Sequence, residues 1–179
     1  MQIIDIATIN KKHENPIALA LGFFECVHLG HKVIIKNLCE LAKKYNATAA
    51  ITTFINNPHT DKKLINTYSQ RLEKFKKQNI GVVLVAEFNQ QFKSQSAQSF
   101  LQLLIKNFNI KALVCGTDYK FGKDASGNIE LLKEFSIKNN IELRILNPIM
   151  CADIRVSSTI IRQYLENNQQ ELANMYLGD

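Results

Sequence analysis

Ile17-Ala18-Leu19-Ala20-Leu21-Gly22-Phe23-Phe24-Glu25-Cys26-Val27-His28-Leu29-Gly30-His31 is the stretch on which the fold turns. Ile17–Leu21 is a short apolar run closed by a glycine and reads as a buried strand. From Leu29 to Tyr45, apolar Ile34, Leu38, Leu41 and Ala42 recur at helical spacing, with lysines on the other face. The same alternation continues down the chain. Further strands are expected at Ala47–Phe54, Gly81–Val85, Ala112–Cys115 and Glu142–Leu146. Helices are expected at Tyr68–Gln78, Ser96–Phe108 (Ser96 as N-cap), Glu130–Asn139, Ser158–Asn167 and Glu171–Leu177. The fold class is therefore α/β, a Rossmann-like open sheet of five parallel strands with helices on both faces. Right-handed crossovers bring the C-terminal ends of the strands to one edge, and ligands of such sheets bind there.

The unusual residues fall at that edge. His28-Leu29-Gly30-His31 sits where a strand turns into a helix. Free backbone N–H groups and the helix dipole make such a place receptive to phosphate, and paired imidazoles can hydrogen-bond its oxygens as charge builds. Gly30 lets the backbone approach a ligand without a Cβ. An isolated pair of surface histidines is the plainer account, and a Cys/His zinc cluster of Cys26, His28, His31 and His59 is a third. Ser157-Ser158-Thr159-Ile160-Ile161-Arg162 offers hydroxyls at a helix start and a guanidinium one turn on, suited to a pyrophosphate or simply to capping. Gly116-Thr117-Asp118-Tyr119-Lys120-Phe121-Gly122 places an acid and an aromatic where they can meet a ribose and a ring, or form a tight turn. Phe54-Ile55-Asn56-Asn57-Pro58-His59 is an aromatic pocket lip or an ordinary strand end.

Bulk properties narrow the class. The chain has 179 residues, 46% apolar and 21% charged, as in one soluble globular domain. Lys+Arg is 22 against 16 Asp+Glu, a net charge of +6 that suits polyphosphate ligands. The basic residues are spread in pairs such as Lys43-Lys44 and Lys76-Lys77, without the clustered stripe and interleaved aromatics of nucleic-acid binders. No nucleic-acid partner is expected. No apolar run approaches the ~20 residues of a membrane span, so no membrane partner is expected either. Cys26, Cys39, Cys115 and Cys151 form no C-x-x-C pair and the N-terminus does not read as a signal peptide, which points to a reduced, cytoplasmic protein. Oligomeric state is not legible.

In this order the four segments resemble the adenylyltransferase module of prokaryotic FAD synthetases, the bifunctional riboflavin kinase/FMN adenylyltransferase family. Its G-x-F-D-G-V-H-x-G-H opening is matched by Gly22–His31, its F-x-P-H-P-type segment by Phe54 and Asn57–Thr60, its G-x-D-F-x-F-G loop by Gly116–Gly122, and its S-S-T-x-I-R helix start by Ser157–Arg162. Ala173-x-x-Tyr176-Leu177-Gly178 is similar to its closing A-x-x-L-L-G. The resemblance implies FMN adenylyltransferase activity, FMN + ATP to FAD + pyrophosphate, over a single domain 1–179 without the riboflavin kinase domain. It implies His28, His31 and Arg162 as catalytic residues. Gly22, Phe23, Phe24, Gly30, Gly116, Asp118, Phe121, Ser157, Ser158 and Thr159 join them around ATP, with Phe54, Asn57, Pro58 and His59 at the flavin. Mg²⁺ is implied as cofactor, carried mainly by the ATP phosphates. The wider H-x-G-H superfamily leaves pantetheine-phosphate or nicotinamide-mononucleotide adenylyltransferase, or an inactive nucleotide-binding module, as alternatives. Glu25, Cys26 and Thr60 depart from the family's Asp, Gly and Pro, and left-handed backbone strain is expected at Cys26 if the glycine was needed there.

Overall fold

β-Strands here are apolar on both sides, as strands covered by helices on both faces must be. Ile17 and Leu19 feed one core cluster while Ala18 and Ala20 feed the other, and all four are fully buried. The structure is a computed structural model that describes residues 1–58 and 63–178. The chain begins with β1 (Gln2–Asp5), β2 (His13–Ala20), α1 (Leu29–Lys44), β3 (Thr48–Phe54) and α2 (Tyr68–Lys77). It continues through β4 (Val82–Ala86), α3 (Gln90–Lys93), α4 (Ala97–Asn107), β5 (Phe108–Gly116), α5 (Ile129–Lys138) and β6 (Glu142–Leu146). It closes with a hairpin, β7 (Met150–Cys151) and β8 (Ile154–Arg155), then α6 (Ser158–Glu166) and α7 (Gln170–Leu177).

The main sheet is parallel throughout, but it has six strands instead of the expected five, in the order β1-β4-β3-β2-β5-β6. The extra strand is β1, which extends the β4 edge with Ile3 opposite Val83. Its four residues are exposed to half-buried, too short and too little apolar to announce a strand by pattern. The chain builds outward from β2 through β3 to β4, then returns to lay β5 on the other side of β2. The topological switch point therefore lies between the ends of β2 and β5.

Helices α4 and α5 cover one face through Phe100, Leu104, Leu132 and Phe135, and α1 and α2 cover the other through Ile35, Leu38, Leu41 and Phe75. A third cluster of Cys26, Val156, Ile161, Ala173, Tyr176 and Leu177 seats α6 and α7 against the turn after β2. That packing carries the double-serine helix start to the switch-point edge. The β7–β8 hairpin turns on Ala152 and Asp153, both at positive φ (47° and 63°), as two-residue turns matched to strand twist require.

Candidate active site

The turn between β2 and α1 is held in an uncommon shape. Phe24 and Val27 have positive φ (53° and 50°), which costs a non-glycine residue roughly 1–2 kcal/mol and persists only where surroundings enforce it. Burial enforces it here: Phe24 is 1% exposed and packs on His31 (ring centroids 4.8 Å) and edge-on to Phe75. Cys26 is not left-handed, so the strain anticipated at Cys26 falls on residues two before and one after it. His28 then caps α1. Its Nδ1 accepts a hydrogen bond from His31 N at 3.2 Å, which leaves the ring proton on Nε2 in the neutral form. The His31 ring stacks on it at 3.7 Å and 10°. A Cβ on Gly30 would come within 3.1 Å of His28 Cε1, so the glycine keeps room for that ring. Burial pushes the His28 pKa down to about 4, and burial followed by the neighbouring His28 holds His31 well below its usual value. Both imidazoles are neutral at pH 7.

Three of the four sequence segments meet around a cavity of about 210 Å³, lined by His28, Gly30 and His31 from the first, Gly116 and Asp118 from the loop after β5, and Arg155 and Ser157 from the approach to α6. Ser157 Oγ accepts from Ile160 N at 3.3 Å and so does cap the helix. Ser158 Oγ lies 3.4 Å from Cys26 Sγ, and Thr159 is exposed. Arg155 pairs with Asp118 across the mouth. The sequence reading passed over Arg155, since a lone arginine on an unforeseen hairpin gives no signal. Arg162 does not line this cavity. Its Nη2 donates to Glu25 Oε1 at 2.6 Å and its Nε to the Lys63 carbonyl at 3.1 Å.

A larger cavity of about 730 Å³ adjoins, in the range that holds a ring system. Phe23, Phe54, Pro58, Phe88 and Phe92 form much of its wall, and Phe121 and Gly122 close it from the β5 loop. Phe54 contacts Phe23, Phe88 and Phe92 at 5.8, 4.9 and 5.4 Å between centroids. Gly122, at φ 72°, passes so close to Ala97 that a Cβ would fall 2.5 Å from Ala97 N. Gly22 and Phe23, expected along the nucleotide, line this cavity, as does Phe121. Asn57 is half-buried outside the lining, and His59 falls outside the described residues. Asp118 lines both cavities.

Arg71 of α2 was also missed. It is fully buried, with Nη1 donating to Thr53 Oγ1 at 2.6 Å, Nη2 to the Ile55 carbonyl at 3.3 Å, and the guanidinium 4.9 Å from the Phe23 ring. Thr53 Oγ1 in turn donates to the Phe23 carbonyl at 2.7 Å, while Thr52 Oγ1 donates to the Gly22 carbonyl and accepts from Gly22 N, each at 2.9 Å. Nothing marks Arg71 in a run of charged helical residues as the one that turns inward.

Ligand atoms of Cys26, His28 and His31 lie within 4.8 Å of one another. The two rings are stacked nearly parallel, so their in-plane lone pairs run side by side instead of converging on one ion. Sulfur and neutral imidazole are also poor donors for Mg²⁺. The smaller cavity has oxygen donors in Asp118, Asn147 and Ser157, which fit a hard cation arriving on a phosphate chain with its own waters.

Residues 10–160 match the FAD synthetase family. The bifunctional riboflavin kinase/FMN adenylyltransferase of Buchnera aphidicola subsp. Schizaphis graminum is 34% identical over 177 residues, covering 94% of this chain and 56% of that protein. The protein of the same name from Bacillus subtilis is 28% identical over 177 residues, with 94% and 55% covered. The chain thus spans a little over half the length of these curated relatives. A crystal structure described as a macrolide-efflux protein from Streptococcus pneumoniae superposes with a TM-score of 0.86 at 27% identity, over 99% of this chain and 61% of that one. Among the described residues no helix is long and apolar enough to cross a membrane. Six parallel strands, the imidazole pair at the switch point and the serine helix start beside it agree with the family match, and the chain belongs to the FAD synthetase family.

Proposed function

We propose that the chain is an FMN adenylyltransferase, which joins the phosphate of FMN to the α-phosphate of ATP and releases pyrophosphate. The observation that carries this reading is the adjacency of two unlike cavities that share Asp118: one aromatic-walled and sized for a flavin, the other set on helix starts and carrying the imidazole pair, Arg155 and Ser157. The isoalloxazine ring lies between Phe23, Phe54 and Phe121. The triphosphate lies in the smaller cavity, where His28 and His31 donate from their neutral rings to the α-phosphate and the start of α6 faces the β- and γ-phosphates. An FMN phosphate oxygen forms a bond to the α-phosphorus as the bond to the bridging β-oxygen breaks in line, and pyrophosphate carries off the electron pair. No covalent enzyme intermediate is needed, so the protein's contribution is positioning and charge stabilisation.

Arg155 is a partly exposed cation at this site. Exchanging its pair with Asp118 for phosphate oxygens frees the carboxylate for a ribose hydroxyl. Mg²⁺ arriving on the phosphates would meet the oxygen donors of Asp118, Asn147 and Ser157 and would supply further charge neutralisation there.

Purified chain incubated with FMN, ATP and Mg²⁺ is expected to form FAD, which chromatography resolves from FMN. His31→Ala, which removes a preorganised donor, is expected to lower turnover by a factor of about 10²–10³ while leaving the far-UV circular dichroism unchanged. Near-normal FAD formation by His31→Ala sinks the assignment.

A further inference from the structure

Arg162 stands where the family resemblance puts a phosphate-gripping arginine, yet its side chain is 14% exposed and spent elsewhere. Its partner Glu25 is buried, with a side chain 6% exposed, and Glu25 Oε1 takes a second hydrogen bond from Ile65 N at 3.0 Å. With the Arg162 Nε–Lys63 carbonyl bond, the pair pins residues 63–65 to α6. Those residues run directly into Thr67, which starts α2 with a full capping box shared with Gln70. Helix α2 carries Arg71, which holds Thr53, Ile55 and the Phe23 ring at the wall of the larger cavity. At the other end, α6 is capped by Ser157, in the lining of the smaller cavity. One desolvated ion pair therefore joins the helix of one cavity to the helix that braces the other. Neither charge can be left alone without a large penalty, because each is buried. Glu25 is one methylene longer than the acid common in the family, and it is Glu25 Oε1 that meets Arg162.

We propose that Arg162 is a positioning residue that acts through Glu25: it ties α6 to α2 and so sets the wall of the flavin cavity, without gripping the triphosphate itself. The tie is a property of the fold; only the names of the two ligands rest on the adenylyl-transfer reading.

The test compares Glu25→Gln, Arg162→Met and the double variant, with Glu25→Asp and Arg162→Lys as charge-conserving substitutes should the first pair fold poorly. FMN affinity is read by quenching of flavin fluorescence, affinity for a non-hydrolysable ATP analogue by calorimetry, and the Ile65 amide by hydrogen exchange. Each single variant is expected to weaken FMN by about tenfold and speed Ile65 exchange, with the ATP analogue within about twofold of wild type. The double variant is no worse than the worse single one, because the two residues act as one contact. A general loss of structure would instead weaken both ligands together. The proposal is overturned if Arg162→Met weakens the ATP analogue tenfold while Glu25→Gln leaves FMN and Ile65 unchanged, or if the two losses add. Should wild type bind no FMN, the functional reading fails, and the Ile65 and ATP-analogue measurements still decide the tie.

Discussion

His28 shows how much one side chain is asked to do at the residue scale. Its Nδ1 caps α1, its ring stacks on His31, and its Nε2–H is left for a ligand. Burial penalises the charged ring, with the nearby Arg155 charge a smaller contribution in the same direction, and its pKa falls to about 4 from an ordinary value of about 6.5. The unfolded chain therefore binds the proton first as pH drops. Stability from this residue is complete above about pH 6.5 and is lost progressively as pH falls toward 4, by up to about 3 kcal/mol. His31 adds in the same direction. Urea unfolding at pH 7 and pH 4.5 should show a smaller loss for His28→Gln than for wild type; equal losses would remove His28 from the acid sensitivity. The histidine spacing was legible, since two imidazoles at a strand-to-helix turn are quoted directly by the chain. Their stacking and neutrality were not, because both follow from Phe24 and the packed helix around them.

Helices α2 and α6 act as elements rather than as carriers of single reactive groups. Helix α2 reads in sequence as a charged surface helix, and Glu73, Lys76 and Lys77 fit that reading. Arg71 lies on its inner face with Phe75, fully buried, and spans to β3. Arg71→Ala would remove packing against Phe23 and the donors that satisfy Thr53 and Ile55, for a stability loss of about 2–4 kcal/mol in urea titration. A loss below about 0.5 kcal/mol would mean the guanidinium is replaceable by water. Helix α6 was foreseen with its start at Ser158, and Ser157 caps it as Ser and Thr commonly do. Its orientation depends on α7 and the third core cluster, which are long-range contacts no local pattern contains.

Across the whole molecule, the sheet brings the ends of β2 and β5 together, and the two cavities open there as neighbours. A ligand that binds only the folded chain stabilises it by mass action, about 2.7 kcal/mol at a concentration one hundred times Kd. Melting temperature should rise with FMN together with an ATP analogue more than with either pantetheine phosphate or nicotinamide mononucleotide beside the same analogue. Equal shifts for all three acceptors would remove flavin selectivity from the larger cavity and leave the family membership alone standing.

Composition, alternating strand and helix periods, and four short motifs in register were enough to reach the fold class and the family, and the motifs named segments that line the two cavities. These are local properties: burial on both strand faces, glycine at a strand end and hydroxyls at a helix start are written in neighbouring residues. The sixth strand, the β7–β8 hairpin, the inward turn of Arg71, the engagement of Arg162 by Glu25, and the placing of Phe23 in the larger cavity came only with the tertiary structure. Each depends on which of several possible partners a side chain or edge meets, and that choice is made by contacts between residues far apart in the chain.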